Sequence, residues 1–137
     1  EEEEKLKNLS KELGVQDQVL FLNNIGQDLK NALLSKSNIF IMPSVVYKKS
    51  VEGFGIAFVE AAQFGVPSIG GADGGANDAI IHNKTGLICD GNNLDAVYSS
   101  LIQLLENKNY IEFGKLAKEE SKKFLWSNII EKYRGIL

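Results

Sequence analysis

Short apolar runs alternate along the chain with longer stretches whose apolar residues recur at helical spacing. Residues Glu1 to Leu13 predict a charged helix, stopped by Gly14. Val19-Leu20-Phe21-Leu22 predicts a short strand. Ile25, Leu29, Ala32 and Leu33 stand at i, i+4, i+7 and i+8, the pattern of a helix with one buried stripe. Asn38 to Met42 predicts the next strand, closed by Pro43, which has no N–H to give to a sheet ladder. After a loop from Ser44 to Val51, Glu52-Gly53-Phe54-Gly55 leads into an apolar helix from Ile56 to Phe64, ended by Gly65. Val66 to Ile69 predicts a strand, Gly70 to Gly75 a glycine-dense turn, Asn77 to Ile81 a short helix, and Gly86 to Cys89 a final strand.

The last third is helical. Leu94, Val97, Tyr98, Leu101, Leu104 and Leu105 keep one period, Tyr110, Phe113 and Ala117 a second, and Trp126, Ile129, Ile130 and Tyr133 a third. Strands alternating with helices predict an α/β fold, a parallel sheet with helices on both faces. Ligands of such sheets bind outside the carboxyl ends of the strands, so chemistry is expected after Met42 and after Ile69.

The 137 residues suit a single domain, and no repeat or Pro/Ser linker divides them. No apolar run approaches the ~18 residues of a membrane span. With one cysteine, Cys89, neither a disulfide framework nor a cysteine zinc site can form, which fits a reducing cytoplasm. Net charge is −3, but four of the 18 acids are Glu1 to Glu4, which suit a helix start. The only arginine is Arg134, so no arginine stripe is available for a nucleic-acid backbone, and nucleic-acid binding is not expected. His82, the only histidine, lies in a polar turn and reads as a surface residue rather than a catalytic base.

Glu60 is the chemical anomaly, a carboxylate in a helix apolar on nearly every side. An unpaired charge there is costly, so Glu60 has either a structural partner or a ligand pocket to face. Glu52 lies eight residues earlier, ahead of the glycine-flanked helix start. With the helix starting near Phe54 or Gly55, Glu60 is roughly 8 Å along its axis. The two carboxylates then bracket a helix mouth whose free amides suit a diphosphate. Carboxylates repel phosphate but accept from hydroxyls, so the ligand class indicated is hydroxyls, diphosphate, hydroxyls: a nucleotide sugar.

Glu52 to Glu60 resembles the Glu-x7-Glu motif of retaining GT-B glycosyltransferases of family 4 (glycosyl transferases group 1). Pro43-Ser44, Glu52-Gly53-Phe54-Gly55-Ile56, the segment Glu60 to Pro67, Gly74-Gly75-Ala76-Asn77-Asp78, Thr85-Gly86-Leu87 and Phe124-Leu125-Trp126 follow in the family's order. The resemblance spans essentially the whole chain. It implies a Rossmann-like donor-binding C-terminal domain of the GT-B fold, here a single partial domain over residues 1–137, lacking its first strand–helix unit and the acceptor domain.

By that resemblance Glu60 binds the ribose hydroxyls, and Glu52 contacts the donor sugar and is the catalytic candidate. Gly53, Phe54, Gly55 and Ile56 form the mouth that holds sugar and diphosphate. Gly74 and Gly75 are expected to shape a turn rather than touch ligand. Asn77 departs from the family's usual proline, and Asp78 stands for its usual glutamate. No Asp-x-Asp is present, and neither metal nor cofactor is expected. The family's Arg and Lys diphosphate clamp is missing, since Arg134 is misplaced and Lys48 and Lys49 read as a solvated loop.

The implied activity is transfer of a sugar from a UDP- or GDP-linked donor to an acceptor hydroxyl, in envelope polysaccharide or glycolipid synthesis, with this fragment alone inactive. A glycan or lipid-linked acceptor would bind through the missing N-terminal domain, which would also supply any peripheral association of a cytoplasmic protein with the inner membrane face. The alternatives are a non-catalytic sugar-nucleotide-binding module and a GT-B-type nucleotide-sugar 2-epimerase.

Overall fold

The computed structural model describes residues 2–46 and 55–134. The chain divides into two compact units, one ending at Asn31 and the other beginning at Ala32.

In the first unit, α1 (Glu2–Glu12) carries three glutamates in its first turn, where negative charge complements the helix dipole. Its end is a Schellman motif. Gly14, at φ +67°, donates to the Lys11 carbonyl and Val15 donates to that of Ser10, so the expected glycine stop is present. Val19–Leu22 is not a strand. A 3₁₀ turn, Gln16–Gln18, precedes it, and none of its residues joins a ladder among the described residues. A strand needs a paired neighbour, and a four-residue apolar run carries no information about one. Leu6, Leu9, Leu13, Val15, Val19 and Phe21 instead line an open apolar groove of about 350 Å³.

Helix α2 (Gln27–Lys36) spans the division between the units. Its expected buried stripe is absent: Leu29, Ala32 and Leu33 are exposed, and the buried residue is Leu34, packed with Ala61, Val66 and Phe40.

The second unit holds a three-stranded parallel sheet in the order β1 (Phe40–Met42), β2 (Ser68–Gly71), β3 (Gly86–Cys89). Phe40 pairs with Ser68 and Ser68 with Gly86. The connections carry α3 (Ile56–Gln63) between β1 and β2 and α4 (Ala76–Ala79) between β2 and β3. Helices α5 (Leu94–Leu105), α6 (Asn109–Ser121) and α7 (Trp126–Arg134) follow. β3 and the stop at Pro43 fall where the sequence places them.

β2 does not: it starts two residues later than expected and absorbs Gly70 and Gly71 from the expected turn. Both glycines are strand residues because there is no room for a side chain. A Cβ on Gly70 would meet Ala76 Cβ at 2.8 Å, and one on Gly71 would lie 1.9 Å from the Ser44 carbonyl oxygen. α4 likewise begins at Ala76 and stops at Ala79, short of Ile81.

Alternation along the strands sorts the core into two faces. Ile69 and Leu87 point to one, where Leu104, Leu101, Tyr110 and Phe113 of α5 and α6 cover them. Phe40, Met42 and Ile88 point to the other, against Phe58 of α3 and Ala76 and Ile80. Phe58 meets Phe40 edge-on at 5.8 Å between ring centroids. Each large side chain so buried contributes about 1.5–3 kcal/mol. α6 then reaches α3: a Cβ on Gly114 would sit 2.1 Å from the Gly65 carbonyl oxygen, a backbone contact that only glycine permits. The outer helices bury less than their periodicity suggests, with Leu94, Tyr98, Trp126 and Tyr133 all more than 60% exposed. No helix among the described residues is long and apolar enough to cross a membrane.

Candidate functional site

The carboxyl end of the sheet is built from chain reversals that glycine makes possible. The chain leaves β1 through Pro43 and Ser44, and the Ser44 N–H turns back onto the Met42 carbonyl at 2.8 Å. β2 leaves through Ala72, whose N–H extends the ladder to the Cys89 carbonyl at 2.8 Å. Gly74 takes φ +106°, the left-handed conformation expected of it. Gly75 does not: it has φ −76° and opens α4. Asn77 closes this turn by donating from Nδ2 to the Ala72 carbonyl at 3.2 Å.

Helix α3 starts beside that turn. Gly55 is its N-cap at φ +74° and is buried. A Cβ at Gly55 would lie 2.7 Å from Phe58 Cδ2 and 3.5 Å from the Gly75 carbonyl oxygen, so the starts of α3 and α4 lie against one another. The first turn tightens through Phe58 N–H to the Gly55 carbonyl at 2.9 Å. The N–H groups of Ile56 and Ala57 have no acceptor within the helix, as at any helix start. At its other end Gly65, at φ +76°, donates to Ala62 while Val66 donates to Ala61, a second Schellman motif. It turns the chain directly into β2.

α3 is not buried all round. Phe58, Val59 and Ala61 face the core, whereas Ile56 and Gln63 are exposed and Glu60 is half-buried between them. Ile56, Glu60 and Gln63 stand at i, i+4 and i+7, which is one face. The bare apolar count conceals this, because an isoleucine at a helix start reads as core. The half-buried Glu60 therefore faces a cleft of about 360 Å³, lined also by Val59, Phe124, Leu125, Trp126 and Ile129.

Of the expected site residues, the structure places Gly55 as the N-cap and Ile56 and Glu60 on one face of α3. Glu52, Gly53 and Phe54, with Lys48 and Lys49, lie outside the described residues. The wall of the cleft from Phe124 to Ile129 was legible as an aromatic segment but not as Glu60's neighbour, since 64 residues separate the two in the chain. His82 is structural: exposed, its Nδ1 accepts from the Ile88 N–H at 2.9 Å, which leaves the neutral ring's proton on Nε2. Cys89 is a free thiol against the Gly70 carbonyl at 3.8 Å. Among the described residues, no three His, Cys, Asp or Glu side chains gather as a metal site would require.

The family model of glycosyl transferases group 1 matches residues 1–124. Over 138 aligned positions the chain is 33% identical to a GDP-mannose-dependent alpha-(1-6)-phosphatidylinositol monomannoside mannosyltransferase of Mycobacterium tuberculosis, covering 98% of this chain and 36% of that protein. It is 33% identical to the N-acetyl-alpha-D-glucosaminyl L-malate synthase of Bacillus anthracis, over 93% of this chain and 32% of the relative. The chain thus spans about a third of the length of the curated relatives it matches. Among solved structures, the sucrose-phosphate synthase of Thermosynechococcus elongatus superposes with a TM-score of 0.79 at 24% identity, over 98% of this chain and 34% of that one. These structural neighbours are GT-B enzymes, and their fold is the one described above. The family match and the relatives agree, and the chain belongs to the glycosyl transferases group 1 family.

Proposed function

We propose that this chain is the donor-binding part of a retaining glycosyltransferase that moves a sugar from a UDP- or GDP-linked donor to an acceptor hydroxyl. The observation that carries the reading is the face of α3: an N-cap glycine in left-handed conformation at the helix start, and Glu60 one turn into the helix beside a cleft. The amides at the mouth receive the diphosphate, where each charge-assisted hydrogen bond contributes about 1.5–3 kcal/mol. Glu60 accepts from the ribose hydroxyls. Glu52 orients the donor sugar and is the catalytic residue of the proposal, with Gly53 and Phe54 completing the mouth.

Catalysis in such a site is positioning together with stabilisation of the charge that develops on the departing diphosphate. Neither carboxylate acts as a covalent nucleophile, and no metal is required. The acceptor, a glycan or a lipid-linked hydroxyl compound, is held by a part of the protein other than these residues. The relative from Mycobacterium tuberculosis is named a GDP-mannose-dependent mannosyltransferase, which supports the same class of chemistry here.

The test is calorimetric titration of UDP, GDP, UDP-glucose and GDP-mannose into the protein at its native length, beside Glu60→Gln. One nucleotide series should bind, and Glu60→Gln should weaken it about tenfold or more, the loss of one charged hydrogen bond. A folded protein that binds none of them refutes the reading. Incubating the bound donor with and without acceptor separates the alternatives: an epimerase converts the donor alone, and a binding module leaves it unchanged.

A further inference from the structure

At the amino ends of β1 and β2 lies an open pocket of about 290 Å³, between the end of α3 and α6. Asn38, two residues before β1, and Gly65, three residues before β2, stand on one side of it. Tyr110, Lys115 and Lys118 of α6 stand on the other. Backbone contact fixes the walls: a Cβ on Gly114 would lie 2.1 Å from the Gly65 carbonyl oxygen, so α6 and the end of α3 meet with no side chain between them. The Lys118 stem lies along Gly65, its Cδ 3.8 Å from where a Cβ would be. Tyr110 packs against the core cluster of Ile69, Leu87 and Leu104. The eight residues of α3 separate the pocket from the start of that helix, roughly 12 Å along its axis.

The charge in the pocket has one sign. No carboxylate among the described residues lines it. Lys115 and Lys118 have no ion-pair partner among the described residues, whereas the next two lysines in the chain, Lys122 and Lys123, pair with Glu119 and Glu120. Three positions apart on one helix, the two ammonium groups are neighbours, and like charges so placed disfavour the helix. Lys118, in the last turn, complements the helix dipole; Lys115, in the middle of α6, does not. The Tyr110 hydroxyl and the Asn38 amide also have no hydrogen-bond partner among the described residues. Ser37, on the rim, donates to the Leu33 carbonyl at 2.8 Å, so toward a ligand its hydroxyl oxygen accepts.

We infer that this pocket binds a small phosphate monoester. Lys115 and Lys118 neutralise the phosphate, Tyr110 and Asn38 donate to its other oxygens, and Ser37 accepts from a hydroxyl of the organic part. A dianion answers two ammonium groups, where a single carboxylate leaves one uncompensated. The concave shape suits a small molecule rather than a flat charged surface such as a membrane. The inference stands on α6 and the amino ends of the strands, and it does not depend on the donor-binding reading.

The experiment is calorimetric titration of inorganic phosphate, glycerol 3-phosphate, glucose 6-phosphate and glucose into the protein at its native length, at constant ionic strength. Lys115→Gln and Lys118→Gln are compared with wild type, and Lys122→Gln is the control, its lysine being paired with Glu119 and outside the pocket. Both pocket lysines are exposed, so the variants should keep the wild-type unfolding midpoint. At least one ester should bind with a millimolar or lower dissociation constant, more tightly than inorganic phosphate, and glucose should not bind. Lys115→Gln and Lys118→Gln should each weaken the ester about tenfold, the loss of one charge-assisted hydrogen bond, while Lys122→Gln matches wild type. A folded wild type that binds neither ester overturns the inference. So does ester binding that both pocket variants leave unchanged, or inorganic phosphate binding as tightly as the esters. Capture by phosphatidylglycerol vesicles without ester binding overturns it in favour of a membrane contact.

Discussion

Helix α3 has a left-handed glycine at each end, and the difference between them yields a prediction with its own internal control. Gly55 and Gly65 have nearly the same backbone, φ +74° and +76°. Alanine at either pays the left-handed penalty, about 1–2 kcal/mol. Part of it is returned, about 0.4–1 kcal/mol, by the smaller entropy of the unfolded chain. The two sites differ in space. At Gly65 the nearest atom to a new Cβ is the Gly114 carbonyl oxygen at 3.7 Å, an ordinary contact. At Gly55 it is Phe58 Cδ2 at 2.7 Å, and Phe58 is 1% exposed and wedged against Phe40, so its ring cannot swing away.

Overpacking of that kind adds about 1–3 kcal/mol. With a urea slope of about 1–3 kcal/mol per molar, Gly65→Ala should lower the unfolding midpoint by roughly 0.5 M and Gly55→Ala by roughly 1–2 M. The assay is urea denaturation followed by circular dichroism, with Gly55→Ala also made in a Phe58→Leu background. If the ring is the obstacle, the double substitution costs less than the sum of the singles. Coincident midpoints for Gly55→Ala and Gly65→Ala, or strict additivity with Phe58→Leu, would refute the reasoning.

Further outcomes follow from the packing and the caps. Leu104 is fully buried against Ile69 and Leu87, so Leu104→Ala should cost about 2–5 kcal/mol in chemical denaturation, at the lower end if the cavity collapses. Asn93 caps α5 by accepting from the Ala96 N–H at 3.1 Å; Asn93→Ala should cost about 1 kcal/mol by the same assay, and Asn93→Ser much less. The hydrogen bond from Lys84 to Glu120, at 2.7 Å, followed by the lysine's charge, holds the Glu120 carboxyl below its ordinary value of 4.5. A lowered carboxyl pKa stabilises the fold above the unfolded value and loses that contribution as pH falls through the folded one. Lys84→Met should therefore lower the melting temperature slightly at about pH 7 and not at all near pH 2, the pair being surface-exposed.

Much of the fold was legible because its punctuation is local. Gly14 and Gly65 end their helices through backbone bonds to residues three and five positions back, and Pro43 ends β1 because it lacks a donor. Helix caps and prolines act through a handful of neighbouring residues, so a linear reading finds them. The same holds for the order of strands and helices, and for the helix that carries Gly55, Ile56 and Glu60. What failed were judgements that depend on a partner distant in sequence. Val19–Leu22 has strand composition but no ladder, and Leu29 and Leu33 have core chemistry but stay exposed.

Gly70 and Gly71 look like turn residues in the sequence, yet they are strand residues whose missing side chains make room for Ala76, Ile80 and Ser44. A glycine selected for space cannot be told, from the chain alone, from one selected for a positive φ, because the two demands differ only in what lies beside the residue. The same limit hid the wall of Glu60's cleft. The sequence by itself determined the order of most elements and the stops at Gly14, Pro43 and Gly65, all set by neighbours along the chain. The tertiary structure alone decided which face of α3 opens to solvent, that Phe124 to Ile129 stand across from Glu60, and that the exit of β1 lies in a slot between Gly71 and Gly91. Those are contacts between segments far apart in the chain, and only the packed sheet and helices bring them within reach.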